Sequence, residues 1–127
     1  MLSVEIDEAN GIAILEPGGP LSKSDFELAA KTIDPYIEKH GKLHGLVIHV
    51  ESFPGWDSFA ALSSHLRFVK EHHKKIARVA FSTDSMIGTL AEKLASHFVN
   101  AEIKLFSFRE LELARKWVAG HNPDEGV

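Results

Sequence analysis

The chain opens with two short apolar stretches, Leu2 to Ile6 and Ile12 to Leu15, separated by Asn10-Gly11. Asn-Gly is the strongest short hairpin signal, because both positions tolerate positive φ. Gly18-Gly19-Pro20 then breaks the pattern, and Ser24-Asp25-Phe26-Glu27 follows as a capping box, with Ser24 at the N-cap and Glu27 reaching back to it. Phe26, Ala30, Ile33 and Ile37 recur at helical spacing, which predicts a helix with one face on a sheet. Pro35 lies inside that pattern and is expected to kink the helix or split it in two, since it removes a donor and crowds the preceding turn. His40-Gly41 closes the helix.

Leu43 to Val50 is almost continuously apolar, as a strand covered on both faces would be. A second long helix is expected from Asp57 or Ser58 to about His73, then a strand over Ile76 to Phe81. Thr83-Asp84-Ser85 offers caps for a third helix with Ile87, Leu90, Leu94 and Phe98 as its buried stripe. Glu102 to Phe106 forms the last strand. Ser107-Phe108-Arg109-Glu110 is a second capping box, leading a helix with Leu111, Ala114, Trp117 and Val118 inward and Gly120 at its end. A hairpin followed by alternating helices and apolar strands implies an α/β fold: a mixed, mostly parallel sheet with about four helices. Residues 1–120 are expected to form one domain and 121–127 a flexible tail.

Composition narrows the functional classes. A length of 127 residues suits a single domain with an ordinary core, and 44% hydrophobic with 25% charged residues is typical of a soluble globule. No apolar run reaches the ~20 residues of a membrane span, and Met1 to Glu5 has no signal-peptide character. The absence of cysteine fits the cytosol. A net charge of −4 argues against nucleic acid as the partner. One segment runs against that average: Arg67, Lys70, Lys74, Lys75 and Arg78 face Glu71 alone, five charges against one. This is either a solvated helix face or a contact for an anionic surface.

Glu51-Ser52-Phe53-Pro54-Gly55-Trp56 is unusual for a crossover turn, because it carries two aromatics around a Pro-Gly hinge. On the helix that follows, Phe59, Leu62, Leu66 and Val69 share an arc of about 80° suited to a sheet, while Phe68 lies nearly opposite Phe59. One sheet cannot bury both rings. Phe68 must meet a neighbouring helix, a bound apolar molecule, a lipid or another chain. With Trp56, Phe53 and the basic residues nearby, the segment is also similar to an interfacial membrane helix. His65 and His72 are seven apart, too far for one helical zinc site, and His49 on a strand is expected to be a hydrogen-bonded core residue. Neither a phosphate loop nor a nucleophile elbow is present. No metal, other cofactor or catalytic residue is expected.

The element order, with Gly45-Leu46-Val47-Ile48-His49-Val50 leading to Asp57-Ser58, resembles the STAS family of sulfate-transporter and anti-sigma-factor-antagonist domains. Its SpoIIAA-like branch of small stand-alone proteins is the nearest in shape. The resemblance covers nearly the whole chain through Val118 and implies a mixed sheet with helices mainly on one side. The branch is also similar to CRAL-TRIO lipid-transfer domains, which hold an apolar ligand beneath a movable helix. In anti-sigma-factor antagonists the serine matching Ser58 is phosphorylated to break a partner complex. This chain departs from that pattern with Phe59-Ala60 after the serine, and Asp57 can serve simply as an N-cap.

The sequence therefore leads to a STAS-like domain that binds and does not catalyse. Its expected ligand is a hydrophobic molecule or lipid, held by Phe53, Trp56, Phe59, Leu62, Phe68, Ile87 and Leu90. Arg67, Lys70, Lys74 and Lys75 would add attraction to an anionic membrane, giving a cytoplasmic protein with peripheral attachment through residues 53–73. A homodimer would bury the surplus ring of Phe68. The alternative is a protein-interaction switch controlled by phosphorylation of Ser58.

Overall fold

The computed structural model describes residues 2–52, 64, 68, 71, 72, 75–84 and 102–120. Five strands, β1 (Leu2–Asp7), β2 (Ile12–Pro17), β3 (Leu43–His49), β4 (Ile76–Ser82) and β5 (Glu102–Phe106), form one sheet in sequential order. β1 pairs antiparallel with β2, and β2 to β5 are all parallel. Helix α1 (Lys23–His40) links β2 to β3, and a 3-10 turn (Phe108–Glu110) leads from β5 into helix α2 (Leu111–Val118). Residues 64, 68, 71 and 72 are helical as well. The two remaining expected helices fall on 57–73 and 85–98, mostly outside the described residues, as does the expected tail at 121–127.

Parallel strands laid down in sequential order by right-handed crossovers send every connecting helix to the same face. The core reflects this. Phe26, Ala29, Ile33 and Ile37 of α1 share one apolar cluster with Leu46, Val79, Phe81 and Phe68. The opposite face is covered by α2, whose Ala114, Trp117 and Val118 pack on Ile12, Ile14, Val47, Ala80 and Phe106. β3 is thus covered on both sides, which accounts for its nearly continuous apolar run.

Local details depart from the sequence expectations in three places. The hairpin forms where Asn10-Gly11 placed it, but β1 runs one residue further than expected: Asp7 pairs with Ile12, leaving a four-residue loop, 8–11. Only Gly11 takes positive φ there, at +68°, and its N–H donates to the Asp7 carbonyl at 2.9 Å. The Asp7 carboxylate accepts from the Asn10 side chain at 2.8 Å, so a side chain closes the loop that an Asn-Gly turn would close with backbone alone.

The cap of α1 lies two residues earlier than expected. Ser22 is the N-cap, its hydroxyl accepting from Asp25 N–H at 3.2 Å, while the Asp25 carboxylate accepts from Ser22 N–H at 2.8 Å. Asp25 replaces Glu27 as the returning acid because its other oxygen also accepts from Leu2 N–H at 3.1 Å, tying helix to sheet. Pro35, finally, neither splits nor ends α1, which runs through it to Gly41 at φ +85°. Its ring is on the exposed side, where water can satisfy the carbonyl that loses its partner.

Candidate functional site

The carboxyl ends of β2 to β5 lie along one rim, where open parallel sheets characteristically bind ligands. Here each strand end is fastened to its neighbour. Val50 N–H donates to the Ser82 carbonyl at 3.1 Å, and Thr83 N–H donates to the Phe106 carbonyl at 2.9 Å. Asp84 N–H and the Thr83 hydroxyl both donate to the Glu51 carbonyl, at 3.1 and 3.2 Å. The Asp84 carboxylate accepts from Phe108 N–H at 2.9 Å, and the fully buried Ser82 hydroxyl donates to the Ser107 carbonyl at 2.9 Å. Thr83 and Asp84, expected as caps of a following helix, thus bind the ends of β3 and β5 together.

His49 stands at the centre of this rim, hydrogen-bonded and part-buried as the sequence suggested. Its Nε2–H donates to the Phe108 carbonyl at 3.1 Å, since a carbonyl only accepts, and its Nδ1 meets Glu16 Oε2 at 3.0 Å. The imidazole also stacks on the Phe108 ring. One residue of β3 therefore holds the end of β2 and the start of the C-terminal turn.

Between these groups opens a cleft of about 380 Å³, lined by Glu16 to Gly19, His49 to Ser52 and Phe108. Two acidic residues, Glu16 and Glu51, and one hydroxyl residue, Ser52, are among this lining, together with Gly18 and Gly19. The Ser107 turn that carries Phe108 is fixed by Glu110, whose carboxylate accepts from Ser107 N–H at 2.9 Å, as the second capping box foresaw. Periodicity could not reveal this site, because His49 and Glu16 are 33 residues apart and His49 and Phe108 are 59 apart. The available hint was polar: His49 and Glu16 both interrupt apolar strands at their carboxyl ends.

Of the residues expected to bind an apolar ligand, Phe53, Trp56, Phe59, Leu62, Ile87 and Leu90 lie outside the described residues, as do Ser58, Arg67, Lys70 and Lys74. Lys75 is exposed at the turn before β4. Phe68 is 8% exposed and packs against Phe26 of α1, with ring centroids 6.4 Å apart. Of the four partners that the sequence allowed for this ring, the structure selects the neighbouring helix. The surplus aromatic surface invoked for a dimer is accordingly absent at Phe68.

His72, which the sequence placed seven residues from His65 without assigning it a partner, is also buried. It stacks on Phe68 at 4.1 Å, donates from Nδ1 to the Phe68 carbonyl at 2.7 Å, and meets Asp34 of α1 through Nε2 at 2.6 Å. One helical turn separates residues 68 and 72, so the pair presents a single face to α1. Among the described residues, no helix is long and apolar enough to cross a membrane.

The family model described as SpoIIAA-like matches residues 12–119. A crystal structure of an uncharacterised protein from the DUF3478 family with a SpoIIAA-like fold, from Shewanella loihica PV-4, shares 21% identity with this chain. The superposition covers 93% of this chain and 92% of that one, with a TM-score of 0.63, a likeness of fold. No curated protein matches the chain. With the family match spanning most of its length, the chain belongs to the SpoIIAA-like family.

Proposed function

We propose that this domain is a non-enzymatic protein-interaction module that receives its partner on the rim formed by Glu16 to Gly19, His49 to Ser52 and Phe108. The observation that supports this most is the fastening of that rim. Strand ends cross-linked by His49, Ser82, Thr83 and Asp84 present a fixed shape, and a preorganised surface loses little freedom when it is bound. The lining favours a protein segment over a hydrocarbon chain. Covering Glu16 and Glu51 with lipid would strip water from carboxylates without replacing their hydrogen bonds. A peptide can supply those bonds from its own backbone and side chains.

The hydrophobic-ligand reading ranks second, because Phe68, one of its contacts, is already enclosed by α1. Ser58, shortly beyond Ser52 in the chain, is the control point of the preferred reading. A phosphate there would add about −2 charges to the chain and so change which partner surfaces it accepts.

Affinity capture from the source cells separates the two readings when run beside liposome co-sedimentation. Wild type should retain a protein that Glu51→Lys and Ser52→Trp both lose, with liposome binding absent throughout. Unchanged capture by the rim variants, together with liposome binding that falls on Trp56→Ala, would overturn the proposal.

A further inference from the structure

β5 is an edge strand of the described sheet, and its outer side is a template for another strand. The hydrogen bond from Thr83 N–H to the Phe106 carbonyl fixes which of its groups face outward. Phe106 points its backbone toward β4, and so do Lys104 and Glu102, by the alternation of a parallel ladder. The N–H and C=O of residues 103 and 105 therefore face the open edge. Leu105 stands beside them with 51% of its surface exposed, unusual for a leucine on a strand.

We infer that this edge pairs with the β5 edge of a second copy of the chain, antiparallel and centred on residue 103. Only registers that place outward residues opposite outward residues can form the ladder. Centring on residue 102 sets Glu102 against Glu102, and centring on 104 sets Lys104 against Lys104. Centring on 105 sets Lys104 against Phe106, whose ring is buried against Trp117 and brings no opposite charge. Centring on 103 sets Glu102 of each copy against Lys104 of the other, giving two opposite-charge pairs. These fall at the non-hydrogen-bonded positions, where Cα atoms approach to about 4.5 Å and side chains are closest. Residue 103 then exchanges both backbone hydrogen bonds with its own copy across the twofold axis.

Glu102 accepts from Arg78 Nε at 3.1 Å, and Lys104 lies over the Phe106 and Trp117 rings at 5.4 and 5.9 Å. Both belong to the α2 face of the sheet, so one twofold contact extends the Arg78–Glu102 pair into a row of alternating charge. The opposite edge lacks this property. β1 carries Glu5 and Asp7 with no basic residue, and self-pairing there would oppose like charges or leave them unmatched.

The chain has no cysteine, so two introduced thiols report the register directly. Chains carrying Glu102→Cys and Lys104→Cys are purified separately, mixed in equal amounts and oxidised mildly. In the inferred register one pair of positions becomes Cys opposite Cys, while the other remains Lys opposite Glu. The expected result is a disulfide-linked pair in the mixture that neither chain forms alone, since identical positions lie too far apart to bridge. A mixture that stays uncross-linked, as it would if residues 121–127 or a foreign strand took this edge, overturns the inference. Equal cross-linking of either chain alone overturns it too.

Discussion

His49 and Phe108 lie ring on ring, with centroids 4.3 Å apart and planes within 2° of parallel. The same Phe108 supplies its carbonyl to His49 Nε2, so a strand and the turn 59 residues later are joined by both side chain and backbone. His49→Ala removes the stack, that hydrogen bond and the Glu16 contact together. The expected loss is about 2–3 kcal/mol, summed from one aromatic pair and two hydrogen bonds. Hydrogen exchange should quicken at the amides of Phe108 and Thr83, which close the same rim. Unaltered exchange there would show that the strand ends are held without His49.

Gly45 is required by the close approach of α2. A Cβ built on it would collide with the Val118 side chain and stand 2.7 Å from the Val118 carbonyl oxygen. Gly45→Ala should destabilise the domain by about 2–3 kcal/mol, the upper part of the range for overpacking. Adding Val118→Ala should recover only part of this, because the carbonyl remains. Urea unfolding of the two variants measures both effects, and full recovery in the double variant would show that the side chain alone sets the spacing.

The two serines near the start of α1 separate the observed cap from the expected one. Ser22→Ala should cost about 1 kcal/mol, the usual value of an N-cap. Ser24, exposed and with its hydroxyl 3.0 Å from the Ser22 hydroxyl, should cost a few tenths when replaced by Ala, as ordinary surface sites do. Thermal melts that rank the pair the other way would place the cap at Ser24.

Asp25 links acid stability to that same cap. Burial pushes its carboxyl up, but the Ser22 N–H and hydroxyl and the Leu2 N–H outweigh burial and hold it below the usual carboxylate range. The folded chain thus binds this proton less readily than the unfolded one. The stabilisation is complete above the unfolded carboxyl's range, about pH 4, and is lost as pH falls through the lower folded value. Asp25→Asn should weaken the fold at neutral pH by about 1.5–3 kcal/mol, the value of a hydrogen bond to a charged group, and flatten its decline below about pH 4. Parallel acid-denaturation curves for wild type and variant would contradict this.

The strands were legible because each carries a local signature. β5 was bounded to the residue by a polar flank and a capping box, and β3 to within one residue by its nearly continuous apolar run. The face of α2 followed from spacing alone, through Ala114, Trp117 and Val118. What local pattern could not supply was any choice between equivalent local chemistries. Ser22 and Ser24 both suit a cap, and only the contact of Asp25 with Leu2, 23 residues away, selects the first. Phe68 had four possible partners in the sequence, and only the fold shows that the α1 face, through Phe26, receives it. The rim escaped for the same reason: Glu16, His49, Ser82 and Phe108 are unremarkable singly and meet only when the parallel strands align.

Amide chemical-shift mapping with the captured partner tests the docking rim most directly. Titrating that partner into isotope-labelled domain should perturb the amides of residues 16, 18, 19, 49–52 and 108 first and most strongly, with α1 and β1 unmoved. Perturbations confined to other surfaces, with those amides unchanged at saturation, would contradict the account.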